Sequence, residues 1–175
     1  MFHDKEILLV TGGCRSGKSS YAQRWAERRS SRRLFVATAQ ALDQEMADRI
    51  RRHKEERGSD WACVEEPLEV VRVVEEMGAQ AGVILIDCVT IWLSNLMATG
   101  LPDSEILSRA RALAAAGKEA LCSLALVTNE LGWGIVPDNQ MARRFRDLAG
   151  SANSLLARSA DRVVLMVSGI PFSLK

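Results

Sequence analysis

Residues 12–19 read Gly12-Gly13-Cys14-Arg15-Ser16-Gly17-Lys18-Ser19. They match the pattern G-x-x-x-x-G-K-[ST], in which glycines let the backbone wrap around phosphates with its N–H groups pointing inward. An apolar run at 7–11 precedes them and a helix pattern at 18–29 follows, which is the strand–loop–helix context that the pattern requires. We therefore predict a nucleotide phosphate loop, with the Lys18 ammonium on the β- and γ-phosphates and the Ser19 hydroxyl on Mg²⁺. The alternative is a glycine-rich turn that happens to contain a lysine.

The rest of the chain alternates between short apolar runs and longer helix patterns. The apolar runs occupy 7–11, 34–38, 83–87, 124–128 and 162–167. Helix patterns occupy 18–29, 43–57 and 139–160, another opens at Pro67 with Leu68, Val71 and Val74 inward, and the Ala-rich segment 96–121 also indicates helix. The apolar spacing at 139–160 places on the inner face Met141, Phe145, Leu148, Ala152, Leu155 and Leu156. Continuous apolar strands joined by helices predict one α/β domain over 1–175: a P-loop NTPase-like (RecA-like), doubly wound, mostly parallel sheet flanked by helices.

Composition excludes several classes of function. The chain has 175 residues, a net charge of +1 and 5% aromatic residues, which argues against a nucleic-acid-binding protein. Two histidines are too few for a histidine-built metal site, and four widely spaced cysteines fit neither a zinc knuckle nor a dithiol motif. Buried thiols are expected, apart from Cys14 in the glycine-rich loop. Since no secretory signal or membrane-length apolar stretch is visible, we expect a cytoplasmic protein without a membrane span.

Asp87 ends the apolar run at 83–87. Ligands of doubly wound sheets bind at the carboxyl ends of the strands. On a strand beside the phosphate loop, the Asp87 carboxylate would hold Mg²⁺ directly or through water. The alternative role is a helix N-cap.

His53 lies in the helix pattern 43–57, among the cations Arg49, Arg52, Lys54 and Arg57. Its spacing from Met46 and Ile50 places it at the edge of an apolar stripe. One interpretation is an ordinary surface or packing histidine. The other is a nucleophile for a nucleotide α-phosphate, because nearby cations favour the neutral imidazole and stabilise charge on the phosphate.

A series of short motifs is spread along nearly the whole chain. They are Val10 to Ser19, Ala37-Thr38 with Gln40, Asp43 to Met46, Arg49-Ile50-x-x-His53, Trp61 with Glu65, Asp87-Cys88-x-Thr90-x-Trp92-x-x-Asn95-Leu96, Val127-Thr128-Asn129-Glu130-x-Gly132-x-Gly134-Ile135-Val136-Pro137, Arg143, Phe145-Arg146-Asp147, Gly150, Asn153, Gly169-Ile170-Pro171 and Leu174-Lys175. In these residues the chain resembles the bifunctional adenosylcobinamide kinase/adenosylcobinamide-phosphate guanylyltransferase family of cobalamin biosynthesis.

The resemblance implies two reactions. ATP or GTP phosphorylates the aminopropanol hydroxyl of adenosylcobinamide; GTP then forms a covalent GMP–histidine, which passes GMP to adenosylcobinamide phosphate. By position, His53 matches the guanylylated histidine. The positions that match nucleotide contacts, besides residues 12–19, are Ala37, Thr38, Ala39, Lys54, Glu55, Glu56, Arg57, Glu65 and Asp87.

The resemblance also implies a homotrimer, while the role of the loop at 129–137 stays open. Cys14 stands where alanine is common in the family, and we expect function to be unchanged because a small residue fits there. Two rival functions remain: a P-loop small-molecule kinase without guanylyl transfer, in which His53 is structural, and a non-catalytic nucleotide-binding oligomerisation module.

Overall fold

The computed structural model describes residues 5–41, 43–57 and 60–175. Within the helix Gln44–Arg57, seven side chains are outside the part of the chain that the structure describes: Met46, Arg49, Ile50, Arg52, His53, Glu56 and Arg57. The predicted helix stop at Gly58 and the second histidine, His3, also lie outside the described residues.

Seven strands form a single sheet in the order β3-β2-β4-β5-β1-β6-β7. Their bounds are β1 (Ile7–Gly12), β2 (Arg33–Ala37), β3 (Trp61–Glu65), β4 (Val83–Asp87), β5 (Ser123–Val127), β6 (Arg162–Val167) and β7 (Ile170–Ser173). The first six strands pair in parallel, and only β7 pairs antiparallel, with β6. This arrangement confirms the predicted mostly parallel α/β sheet.

Six helices connect the strands in the described part of the chain: α1 (Lys18–Glu27), α2 (Gln44–Arg57), α3 (Val70–Met77), α4 (Val89–Ala98), α5 (Asp103–Glu119) and α6 (Gln140–Ser159). Side chains of β1 alternate between two cores. Ile7 and Leu9 pack with α3–α6 on one face, and Leu8 and Val10 pack with α1 on the other. Burial on both faces explains why the central strands read as continuous apolar runs.

All five predicted strands are present, with each end within one residue of the prediction. Two further strands, β3 and β7, were not predicted. Both lie at the edges of the sheet, where a strand is exposed and its apolar pattern is weak: β3 exposes Ala62 and Cys63, and β7 is exposed throughout. The expectation of a buried thiol at Cys63 is therefore wrong.

The predicted helices need two corrections and one addition. The helix expected from Pro67 begins at Val70, because the Glu66 carboxylate accepts the N–H groups of Leu68 and Glu69, at 2.9 Å each, before the helix starts. The inward residues also include Val70 and Val73, which are buried like Val74, while Leu68 and Val71 are half-buried against the same core. The helical segment 96–121 is divided into α4 and α5 at Pro102, which precedes the second helix.

Helix α6 follows the prediction closely. It spans Gln140–Ser159, and the Asn139 side chain accepts the N–H groups of Met141 and Ala142 at its start. Met141 is 63% exposed, so it does not belong to the inner face. It lies in the first turn, before the helix reaches the core at Phe145 and Leu148. In the described part of the chain no helix is long and apolar enough to cross a membrane.

Candidate active site

The loop between β1 and α1 depends on two glycines. Gly12 has φ +145°, and a Cβ there would lie 2.4 Å from the Met166 carbonyl oxygen of β6. Gly17, with φ +91°, is the left-handed residue that precedes α1. The β6–β7 turn braces the same loop, since the Gly169 N–H donates to the Ser16 carbonyl at 3.1 Å. Any side chain at Gly12 would therefore disturb the start of the loop.

Two polar side chains are buried inside this loop. Lys18 is 7% exposed, and its Nζ donates to the Gly13 carbonyl at 2.5 Å. Ser16 is also 7% exposed, and its Oγ has no hydrogen-bond partner among the described residues. A buried hydroxyl without a hydrogen-bond partner costs free energy. A ligand bound in the loop that supplied this partner would remove the cost. Gly13, Cys14 and Arg15 are exposed, and Ser19 is half-buried in the first turn of α1.

Asp87 ends β4, which is not the neighbour of β1. Strand β5 lies between them, in the register Asp87–Val127–Val10, so the expectation that Asp87 lies on a strand beside the phosphate loop is wrong. Two strand spacings place Asp87 about 10 Å from Val10 across the sheet. Its carboxylate is half-buried at the carboxyl edge. Asp87 therefore lies at the same edge of the sheet as the phosphate loop, and strand β5 separates the two.

Lys54 and Glu65 form an ion pair between α2 and the end of β3. Glu65 continues the register row as Glu65–Ala37–Asp87, and its strand is four spacings from β1. The pair therefore lies about 19 Å from Val10 along the carboxyl edge. Glu55, the residue after Lys54, is exposed, whereas the side chains of His53, Glu56 and Arg57 lie outside the described residues.

The family comparison covers nearly the whole chain. A family model described as cobinamide kinase/cobinamide phosphate guanyltransferase matches residues 8–174. The chain belongs to this family.

Curated relatives agree with that assignment. The bifunctional adenosylcobalamin biosynthesis protein CobU of Escherichia coli (strain K12) is 38% identical, with 97% of this chain and 99% of the relative covered. The protein of the same name from Salmonella typhimurium is 40% identical over the same shares. The bifunctional protein CobP of Pseudomonas aeruginosa is 37% identical over 95% of this chain and 96% of the relative. The family, and with it the predicted enzyme class, is confirmed.

A solved structure of a protein with a different name also aligns with this chain. The crystal structure of flagellar accessory protein FlaH from Methanocaldococcus jannaschii aligns with a TM-score of 0.54, covering 97% of this chain and 78% of that one. At 14% identity, this likeness shows the fold alone.

Residues 37–39, predicted as nucleotide contacts, lie where β2 ends, between Asp87 and Glu65. Thr38 is fully buried, and its hydroxyl bonds both the carbonyl and the N–H of Cys88, at 2.8 and 2.9 Å. The Thr38 side chain therefore holds the segment after Asp87, and only Ala37 and Ala39 of the three are partly exposed.

Cys88 begins α4, where its Sγ accepts the Ile91 N–H. Burial, and after it the neighbouring Asp87 charge, together raise the pKa of this thiol to about 12. Cys88 is therefore a neutral capping side chain and not a nucleophile.

Sequence reasoning missed a polar cluster at the same edge, defined by Thr11, Thr90, Thr128, Glu130 and Asn153. Thr11 ends the first apolar run, and Thr128 ends another and is followed by Asn129 and Glu130, so polar residues at the carboxyl ends of two strands were the available signal. The sequence analysis left the role of the loop at 129–137 open, and the cluster shows that its first residues are anchored at the sheet.

Proposed function

We propose that this chain phosphorylates the hydroxyl of adenosylcobinamide with ATP or GTP, and then transfers GMP from GTP to adenosylcobinamide phosphate to give adenosylcobinamide-GDP. The observation that carries this proposal is the buried Ser16 hydroxyl, which has no partner among the described residues, in the same loop as buried Lys18, on a chain that matches the family from residue 8 to 174. Both reactions break a phosphoanhydride bond of a nucleoside triphosphate, which is the ligand that such a loop is suited to hold.

In this proposal the loop holds the triphosphate. Backbone N–H groups of residues 12–19 and the positive N-terminal end of α1 neutralise the phosphates, and the Lys18 ammonium stabilises charge that develops as a phosphoanhydride bond breaks. Ser16 Oγ supplies a hydrogen bond that no described protein group uses. Contacts at residues 37–39, 54–57 and 65 would hold the nucleoside, since residues 37–39 and the Lys54–Glu65 pair lie along the same carboxyl edge.

The residues present also fit Mg²⁺. Ser19 and Asp87 are half-buried oxygen donors that would hold the ion. No described group of three or more metal-ligating side chains forms a cage, which suits an ion held by one or two protein oxygens together with substrate phosphates. When bound, the ion supplies positive charge that neutralises the phosphates.

His53 is the proposed nucleophile of guanylyl transfer. Its ring nitrogen forms a bond to the α-phosphorus of GTP while the bond to the pyrophosphate oxygen breaks, and pyrophosphate leaves. A phosphate oxygen of adenosylcobinamide phosphate then attacks the same phosphorus, and the nitrogen–phosphorus bond breaks. The next residue, Lys54, is paired with Glu65 at the carboxyl edge, which supports a place for this part of α2 beside the nucleotide.

Labelling with α-³²P GTP tests the proposal. The wild type is expected to acquire acid-labile, base-stable label, and H53A is expected to lose it. H3A is the matched control, because it removes the other histidine and should label fully. Label that persists in H53A, or no label in the wild type with Mg²⁺ present, would contradict the proposal.

The same proteins separate the rival functions. A small-molecule kinase without guanylyl transfer predicts full γ-phosphoryl transfer to adenosylcobinamide in H53A and no GMP on the wild type. A nucleotide-binding oligomerisation module predicts slow hydrolysis that the corrinoid does not change. Neither predicts labelling that depends on His53.

We also propose a homotrimer in the cytoplasm. Large apolar side chains are exposed on one side of the edge strand β7 and its extension, at Ile170, Phe172 and Leu174, which is the surface expected of a subunit contact. The four cysteines lie within the described residues and form no disulfide, which suits a reducing compartment. Light scattering should give three times the chain mass, and the double substitution I170S/F172S should lower it; a wild-type monomer would contradict the trimer.

A further inference from the structure

The polar cluster of Thr11, Thr90, Thr128, Glu130 and Asn153 joins four parts of the fold. Thr11 lies in β1, Thr90 in α4, Asn153 in α6, and Thr128 and Glu130 directly after β5. All of its members except Glu130 are less than 9% exposed. Because buried polar groups are costly unless they are fully bonded, a network with this geometry holds one specific arrangement.

The direction of each hydrogen bond follows from donor and acceptor chemistry. Asn153 Oδ1 can only accept, so the Thr128 hydroxyl donates to it at 2.7 Å. Thr90 must then donate in its 3.2 Å contact with Thr128, and it accepts the Asn129 N–H at 2.8 Å. The Asn153 amide nitrogen can only donate. It donates to the Asn129 carbonyl at 3.0 Å and to Glu130 Oε1 at 3.4 Å.

Two side-chain donors, Asn153 and Thr11, converge on one oxygen of Glu130. Besides Asn153, the Thr11 hydroxyl donates to Oε1 at 2.6 Å, a length typical of a hydroxyl bonded to a carboxylate. The other oxygen, Oε2, takes no hydrogen bond from the residues that the structure describes. Glu130 is half-buried, so its carboxylate has one face fixed by the protein and one acceptor atom left for a ligand.

Glu130 is also placed next to the phosphate loop. Its N–H donates to the Gly12 carbonyl at 3.2 Å, so the residue is tied to the first position of the loop. It follows β5, the strand that separates β1 from β4. The carboxylate therefore lies at the carboxyl edge between the loop and Asp87, which is the edge at which ligands of such sheets bind.

We propose that Glu130 is the catalytic base of the kinase reaction. Its Oε2 accepts the proton of the acceptor hydroxyl as that oxygen forms a bond to the γ-phosphorus and the bond from the γ-phosphorus to the bridging oxygen breaks. The nucleoside diphosphate leaves with the electron pair of that bond, and the proton remains on Glu130 until solvent removes it. Thr11 and Asn153 are positioning residues that fix the carboxylate through Oε1.

This assignment rests on the kinase activity proposed above and concerns only that reaction. Guanylyl transfer begins with a histidine nitrogen as nucleophile and does not require deprotonation of an alcohol. A base at Glu130 is therefore expected to separate the two activities, whereas a residue that only supports the loop would affect both.

E130Q is the test, because glutamine keeps one side-chain oxygen for Thr11 and Asn153 while its amide nitrogen cannot accept a proton. With γ-³²P ATP and adenosylcobinamide, kcat is expected to fall about 10²- to 10⁴-fold, while KM for the corrinoid changes little. Self-labelling with α-³²P GTP should stay at the wild-type level. Kinase activity within a few-fold of wild type, or equal loss of both activities, would overturn the assignment.

A second variant keeps the test independent of folding. In E130A, formate is expected to restore part of the kinase rate by occupying the carboxylate site, without changing self-labelling. If E130A labels normally but formate restores no kinase activity at any concentration, the proposed base is wrong. Failure of the proposed function looks different, because the wild type itself would then neither phosphorylate adenosylcobinamide nor acquire label.

Discussion

Gly12 is the residue at which the phosphate loop tolerates least change. Its φ is +145°, and the Met166 carbonyl oxygen would lie 2.4 Å from the Cβ of any other residue, which leaves no space for a side chain. We expect Gly12→Ala to lower the free energy of unfolding by about 1–3 kcal/mol, measured by urea denaturation, and to weaken nucleotide binding.

Gly13→Ala is the matched control, because a Cβ there meets no atom within 4 Å. It should change the free energy of unfolding by less than about 0.5 kcal/mol. Equal destabilisation by both substitutions would show that the close approach at Met166 is not the cause.

Cys88 makes stability depend on pH in the alkaline range. Burial raises the thiol pKa from its ordinary 9.0 to about 12, so between these values the folded state keeps a proton that the unfolded state releases. Stability is therefore lost as pH rises above about 9. The urea midpoint should fall between pH 8 and pH 10.5, and it should fall less in C88S; identical slopes would contradict this origin.

At the scale of elements, the start of α6 depends on one side chain. Asn139 accepts the N–H groups of Met141 and Ala142 at 2.8 and 3.2 Å. Removing this cap in N139A should cost about 1 kcal/mol in urea denaturation. Q140A, one residue further on at an exposed position, should stay within about 0.5 kcal/mol of wild type, and a larger loss there than in N139A would refute the capping role.

Elements with one dominant signal were predictable from the sequence. The phosphate loop, the buried strands and the capped helix α6 each carry a pattern that tertiary context reinforces. Strand β7 has a weaker sequence pattern. The signal for it is the turn before it, because Ser168 and Gly169, with φ of 50° and 83°, form the two-residue hairpin turn between β6 and β7. Pro171, which follows, weakens the strand pattern further, although proline is tolerated in an edge strand.

The site itself was predictable in part. Residues 12–19 were predicted from their motif spacing and Asp87 from its place at the end of an apolar run, and the structure places both at the carboxyl edge of the sheet. The strand order could not be predicted from local pattern, so the separation of Asp87 from β1 by β5 was missed. Glu130 was missed because its partners, Thr11 and Asn153, are distant in sequence and meet only in the folded sheet.

At the scale of the whole molecule, the candidate site residues lie in one row along the carboxyl edge of the sheet. The phosphate loop lies at β1 and the Lys54–Glu65 pair lies at β3, with Asp87 and residues 37–39 between them. A row about 19 Å long suits a nucleotide that spans it, with phosphates at one end and the region of α2 near the other. The two reactions would then share this edge, with guanylyl transfer using α2 and phosphorylation using Glu130.

The most direct test of this account is a chase of the labelled protein. Wild-type chain labelled with α-³²P GTP is freed of nucleotide and mixed with adenosylcobinamide phosphate. We predict that the label leaves His53 and appears in adenosylcobinamide-GDP, at a rate no slower than steady-state turnover. Label that stays on the protein, or that is released only as GMP, would contradict a covalent GMP–histidine as the intermediate of this enzyme.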